Sequence, residues 1–109
     1  QILVHGDGYS ERDYVFVSDI VEANILALRT DKSGIFNLGS GQGTSVNRIV
    51  SLLKETTGFK GEVIHGPPRA GDVYQISLDS SRAARDLGWS PKIDLENGLA
   101  KTVEYFRDL

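Results

Sequence analysis

Ile35-Phe36-Asn37-Leu38-Gly39-Ser40-Gly41-Gln42-Gly43-Thr44-Ser45-Val46 opens the segment that decides the fold. Gly34 opens a short strand, Ile35 to Leu38. The glycine cluster at 39–43 interrupts it. Thr44 or Ser45 then caps a helix in which Val46, Ile49, Val50 and Leu53 recur at i, i+3, i+4 and i+7, the stripe of a half-buried helix. Gly58 terminates that helix, and Glu62 to His65 reads as the next strand. Strand, helix and strand at this spacing predict a right-handed βαβ unit, with 35–38 and 62–65 parallel.

The flanks extend the same alternation. Gln1 to His5 is an apolar run read as a strand, closed by the turn Gly6-Asp7-Gly8. Tyr9 to Glu11 form a loop, and the aromatic and β-branched run Arg12 to Val17 is a second strand. Asp19 reads as an N-cap with Glu22 completing a capping box, which places a helix from about Ile20 to Arg29. Its Val21, Ile25 and Leu28 share a face, with Ala23 and Ala27 beside them. Towards the C-terminus, Tyr74 to Leu78 reads as a strand. Asp79 or Ser80 caps a short helix carrying Ala83, Ala84 and Leu87, which Gly88 ends. Trp89-Ser90-Pro91 is a turn. Asp94 caps a last helix with Leu95, Leu99, Thr102, Val103 and Phe106 on one stripe. The class is α/β (α+β): a small mixed sheet with a parallel βαβ unit and about four helices.

At 109 residues the chain is read as one domain, 1–109. Its net charge of −3, with no block of Lys or Arg, argues against a nucleic-acid partner. The absence of Cys excludes disulfides and thiolate chemistry. No apolar run is long enough for a bilayer, and only Ile2-Leu3-Val4 precedes His5 and Gly6, so neither a membrane span nor a signal peptide is read and the expected compartment is the cytoplasm. The chain contains no Met and begins at Gln1, which points to a piece of a longer protein.

Few residues carry a chemical signal. The loop at 39–43 follows a predicted strand and opens a helix, but G-x-G-x-x-G fails: its third glycine falls on Thr44 or on Val46. A plain turn before the helix is the better reading, although its amides could still face a ligand. His5 and His65 stand singly, without metal-ligand spacing. Ser18, Ser40 and Ser45 fit caps and turns, and no G-x-S-x-G is present. Asp7 and Asp13 sit at a turn and a strand start and need no catalytic role; Trp89 reads as a core residue.

The exception is Gly66-Pro67-Pro68-Arg69-Ala70-Gly71-Asp72, where stiff backbone, a flexible glycine, a guanidinium and a carboxylate fall together. Arginine matches phosphate oxygens bidentately, and an ionised aspartate accepts from sugar hydroxyls. Alone, this is an ordinary loop with Arg69 and Asp72 paired across it. Likewise Arg12 alone is a surface partner for Asp13, Glu11 or Asp7. Taken together, two arginines at loop–strand junctions of an acidic chain are what a diphosphate site requires.

Five segments then align with one family. Gly6 to Asp19 resembles the GDGxxxRDFVYVxD segment of extended short-chain dehydrogenase/reductases acting on nucleotide sugars. Phe36 to Gly41 with Thr44-Ser45-Val46 resembles their YNLGxGxxTSV, and Pro68 to Val73 their PxRxGDV. Leu78 to Ala83 with Leu87 to Pro91 is similar to xxDxSKAxxxLGWxP, and Leu95 to Phe106 to the closing LEEGLxxTVxWF helix. The resemblance covers nearly the whole chain in order, within the NAD-dependent epimerase/dehydratase group and closest to its UDP-glucose 4-epimerase type.

The resemblance implies the C-terminal, substrate-binding part of such an enzyme, with the N-terminal dinucleotide-binding domain absent. It implies that Arg12 and Arg69 hold the nucleotide diphosphate and that Asp72 accepts from the ribose. No catalytic, cofactor-binding or metal-binding residue is assigned to this chain. The family's Tyr-x-x-x-Lys pair is not in it, because Tyr9, Tyr14, Tyr74 and Tyr105 are followed four residues on by Asp13, Ser18, Leu78 and Leu109. NAD belongs to the intact family enzyme. Ile76 stands where the family's epimerases can carry a tyrosine near the sugar, and dehydratases, decarboxylases and reductases share much of this lobe. The implied partners are a UDP-sugar, the missing cofactor lobe and, through the bared apolar face of the first helix, a second copy of the chain. The other reading is a free-standing, non-catalytic nucleotide-sugar-binding or assembly module from a truncated gene.

Overall fold

The structure, a computed structural model, describes residues 1–109. Strand β1 (Ile2–His5) pairs with β4 (Val63–Gly66) in parallel, with Ile2 opposite Val63 and His5 opposite Gly66. A second pair is antiparallel and only two residues long: β2 (Glu11–Arg12) against β3 (Thr44–Ser45). Helices α1 (Val17–Arg29), α2 (Val46–Thr57), α3 (Ser81–Leu87) and α4 (Leu95–Arg107) complete the chain. This is the small mixed α/β architecture with four helices and one parallel pair.

The parallel partner of the 62–65 strand is the N-terminal strand and not 35–38. Residues 35–38 and 74–78 join no ladder, and of the strand expected over 12–17 only Arg12 is paired, together with Glu11 before it. Side chains hold these segments instead. Arg82 donates to the Ser33 and Ile35 carbonyls at 3.2 and 3.3 Å and lies over the Phe36 ring. Ser80 Oγ accepts from the Gly39 amide at 2.7 Å and donates to its carbonyl at 3.0 Å. With its hydroxyl engaged there, Ser80 gives α3 no side-chain cap.

Helix α1 begins at Val17, after an N-cap Phe16 with no side-chain cap bond, so the capping box read at Asp19 and Glu22 does not form. Asp19 lies inside the first turn and is buried. Its carboxylate accepts from the amides of Lys92 and Ile93, both at 3.1 Å, while Glu22 takes the Lys92 ammonium at 2.6 Å. Ser45 and Asp94 do cap α2 and α4, accepting from Arg48 N at 3.1 Å and Asn97 N at 2.8 Å.

The core is small. Ala23, Ala83, Leu87 and Trp89 form its buried centre, with Val15, Leu26, Phe36 and Leu38 packed around them. Helices α2 and α4 pack against each other elsewhere, burying Leu52 and Val103. On α1 it is the Asp19 and Ala23 face that turns inward. Val17, Val21, Ile25 and Leu28, on another face, stay between 42% and 87% exposed. The radius of gyration is 16.3 Å, against about 13 Å for a compact chain of this length, and the extents are 50 × 35 × 19 Å. The molecule is therefore a flat, open body that leaves one broad helix face uncovered.

Candidate functional site

Parallel strands β1 and β4 end side by side, and each runs straight into a glycine turn: Gly6-Asp7-Gly8 after β1, Gly66 to Asp72 after β4. The carboxyl ends of parallel strands are where open α/β sheets bind ligands, because the diverging loops leave a crevice there. The first bond past β1 keeps the two turns together: Gly6 N donates to Gly66 O at 2.9 Å. His65 Nδ1 lies 3.1 Å from the Gly6 carbonyl, which makes that ring nitrogen the protonated one.

A cavity of about 430 Å³ opens between these turns, lined by His5, Asp7, Ser10, Arg69, Asp72 and Tyr74 among others. Arg69 and Asp72 are thus brought together. Gly71, at φ +82°, supplies the left-handed step that returns the chain between them. The two do not pair with each other, and neither side chain has an ion-pair or hydrogen-bond partner in the protein. Arg12 lies outside this lining. It sits on β2, half-buried, and its Nη1 donates to the neighbouring Glu11 carbonyl at 2.8 Å. None of Asp13, Glu11 and Asp7 forms the ion pair with it that the sequence offered. Its strand is tied to the site through Glu11 N, which donates to Tyr74 O at 2.7 Å.

Two side chains of the site had no signal in the sequence. Asp7 holds the first turn together, its Oδ1 accepting from Tyr9 N at 2.8 Å; Tyr74 Oη donates to Asp7 Oδ2 at 3.0 Å. That bond to Asp7, then loss of solvent, then the charges of Asp7 and Glu11, raise the Tyr74 phenol above its ordinary 10.0. The phenol is therefore a donor throughout the neutral range. Gly8 is buried under Asn47, whose Nδ2 donates to the Asp7 carbonyl at 3.1 Å; a Cβ at Gly8 would fall on the Asn47 side chain.

Asp13 is the other residue that was missed. Its Oδ1 accepts from the Ser40 amide (2.8 Å) and hydroxyl (2.7 Å), and its Oδ2 from the amides of Gly41 (2.9 Å) and Leu78 (3.0 Å). Burial pushes this carboxyl up, but the Ser40 and Leu78 amides, the Ser40 hydroxyl and the Gly41 amide outweigh it and hold the group below its ordinary 3.8. The amides of the glycine loop that could have met an anion at α2 are thus spent on the chain's own carboxylate. No three His, Asp or Glu side chains gather as a metal-ligand set. No helix is long and apolar enough to cross a membrane.

Comparison with known proteins agrees with this architecture. The family profile described as GDP-mannose 4,6 dehydratase matches residues 1–102. The UDP-glucose 4-epimerase of Mycolicibacterium smegmatis is 42% identical over 106 residues, which are 96% of this chain and 34% of that protein. The crystal structure of the UDP-glucose 4-epimerase of Thermotoga maritima with UDP-glucose superposes with a TM-score of 0.95 at 49% identity, covering 99% of this chain and 35% of that one. That of the Thermus thermophilus UDP-glucose 4-epimerase complex with NAD gives 0.89 at 34% identity, covering 97% and 35%. The chain spans about a third of the length of the relatives it matches.

Proposed function

This chain belongs to the extended short-chain dehydrogenase/reductases, the family of NAD-dependent epimerases and dehydratases, and from that premise we propose that residues 1–109 are the nucleotide-sugar-binding part of a UDP-glucose 4-epimerase-like enzyme. One observation carries the reading. Arg69 and Asp72 face one cavity at the carboxyl ends of a parallel strand pair, and neither is committed to a partner within the protein. A guanidinium with free N–H groups takes a diphosphate, and a free carboxylate takes ribose hydroxyls. Arg12 is assigned to the same diphosphate as a second cation reaching from β2, since its one bond is to the carbonyl of Glu11. NAD binding and proton transfer are assigned to the parts of such an enzyme outside the matched third, because residues 1–109 contain no Tyr-x-x-x-Lys and their glycine loop gives its amides to Asp13.

Calorimetric titration of UDP-glucose into the full-length protein tests the assignment. Arg69→Ala is expected to weaken binding by about 1.5–3 kcal/mol, roughly 10- to 150-fold. Unchanged affinity in that variant would remove the diphosphate site from this cavity. Residues 1–109 alone are expected to epimerise no UDP-glucose, and turnover by that fragment, with variant controls excluding contamination, would show a base that the reading overlooks.

The exposed stripe of Val17, Val21, Ile25 and Leu28 is proposed to be covered in solution, by the rest of the protein or, in residues 1–109 alone, by a second copy. Sedimentation of 1–109 at micromolar concentration is expected to show a dimer that Val21→Glu dissociates. A monomer at all concentrations would count against that contact.

A further inference from the structure

Arg69 and Asp72 lie on a loop with little structure of its own. Its one internal backbone bond, Asp72 N to Arg69 O, is long at 3.5 Å. What fixes the loop is therefore its two ends. The leading end is held by the β1–β4 ladder and by Gly6 N to Gly66 O. The trailing end is held first at Tyr74, and twice: through its carbonyl to Glu11 N on the strand that bears Arg12, and through its phenol to Asp7 in the opposite turn.

Resting on the nucleotide-sugar reading above, we infer that the Tyr74–Asp7 hydrogen bond is a strut that sets where Arg69 and Asp72 stand for a nucleoside diphosphate. Tyr74 and Asp7 are positioning residues of that site. Asp7 also lines the cavity, but each of its oxygens already accepts one hydrogen bond, from Tyr9 N and from Tyr74 Oη. Asp72 has both oxygens free. Gly8 and Asn47 brace the turn beneath, so Asp7 is an anchor for the loop's trailing end. The ring of Tyr74 is half-exposed in the same cavity, so the competing role is direct contact with the ligand, and phenylalanine separates the two.

The test is binding of UDP to the full-length protein and its variants, with hydrogen exchange over residues 66–74. Tyr74→Phe and Asp7→Ala are each expected to weaken UDP binding about tenfold, as misplacing a binding group does. The double variant should be no weaker than the weaker single one, because both remove the same bond. Asp7→Asn should bind within about twofold of wild type, its amide still bridging Tyr9 N and Tyr74 Oη. Tyr74→Phe should also speed exchange at 66–74 in the unliganded protein. Wild-type affinity in Tyr74→Phe together with a loss in Tyr74→Ala makes the ring a ligand contact and overturns the strut. Additive losses in the double variant overturn it as well. If wild type binds UDP but Arg69→Ala does so equally well, the diphosphate assignment fails while the strut is still judged by exchange. Unchanged exchange at 66–74 in Tyr74→Phe overturns it whatever UDP does.

Discussion

Trp89→Ala is expected to cost about 3–5 kcal/mol, a large share of the roughly 5–15 kcal/mol that stabilises a whole domain. Trp89 is 1% exposed and is the one large side chain in a core otherwise made of Ala23, Ala83 and Leu87. Val15, Leu26, Phe36 and Leu38 pack around it, and partial collapse of these onto the space would set the loss within that range. Its indole Nε1 also donates to the Asp19 carbonyl at 2.8 Å, which joins α3's end to the start of α1. The same Asp19 takes the amides of Lys92 and Ile93 with its carboxylate, so one aspartate and one tryptophan lock the turn ahead of α4. Trp89→Phe keeps most of the apolar area and loses the bond, for about 1–2 kcal/mol. Urea unfolding followed by circular dichroism measures both; fluorescence cannot, since Trp89 is the only tryptophan. A loss under 1 kcal/mol for the alanine variant would mean that this cluster is not the centre of the core.

The helices were legible because their signals are local. Ser45 and Asp94 cap where their spacing said, and Gly58 and Gly88 end α2 and α3 in the left-handed conformation. The first helix shows how the same logic misleads. Asp19 and Glu22 have capping-box spacing, yet the helix starts earlier and both carboxylates serve the turn before α4, some 70 residues away. The sheet was harder to read. A mostly apolar tetrapeptide such as Ile35 to Leu38 suits a strand, but whether it joins a ladder depends on which strand lies beside it. Here β4 takes β1, and 35–38 is held by Arg82 and Ser80 instead.

The site divides in the same way. Arg69 and Asp72 stand three residues apart on one loop, so that they share a cavity was readable from their spacing, while where the loop stands depends on what holds its ends. Asp7 and Tyr74 are 67 residues apart and meet only because β1 and β4 end together. Nothing in either residue's neighbourhood announces the contact. Charge and family pattern group Arg12 with Arg69, but the fold puts Arg12 on β2 outside the cavity that Arg69 lines, with the Glu11–Tyr74 backbone bond joining the two segments.

Asp13→Ala is expected to cost about 2–4 kcal/mol, more than any surface aspartate should, because four donors lose their acceptor at once. Three of them are backbone amides, of Ser40, Gly41 and Leu78, and the Leu78 amide is only partly open to water. The packing is tight on the Gly39 side, where a Cβ would come within 2.6 Å of Asp13 Oδ2 and 2.8 Å of Leu78 Cβ, whereas water can reach the exposed Ser40 and Gly41 amides. Asp13→Asn retains one acceptor oxygen and turns an NH₂ toward the other pair of donors, so an intermediate loss of about 1–3 kcal/mol is expected. The pH dependence follows from the sign of the shift. The folded carboxyl titrates below its unfolded value of 3.8, so its contribution is fully present above that pH and is lost as the pH falls through the lower, folded value. Urea midpoints of wild type and Asp13→Asn measured from pH 7 downward should therefore differ by a constant amount to about pH 4 and converge below it. The difference will persist through acid if the carboxylate's charge is irrelevant and only its shape matters. Because Asp13 fastens the segment that runs back from Leu78 to Tyr74, the same acid step should loosen the far end of the Arg69 loop, and hydrogen exchange at 74–78 should rise below pH 4 in wild type but already at neutral pH in Asp13→Ala.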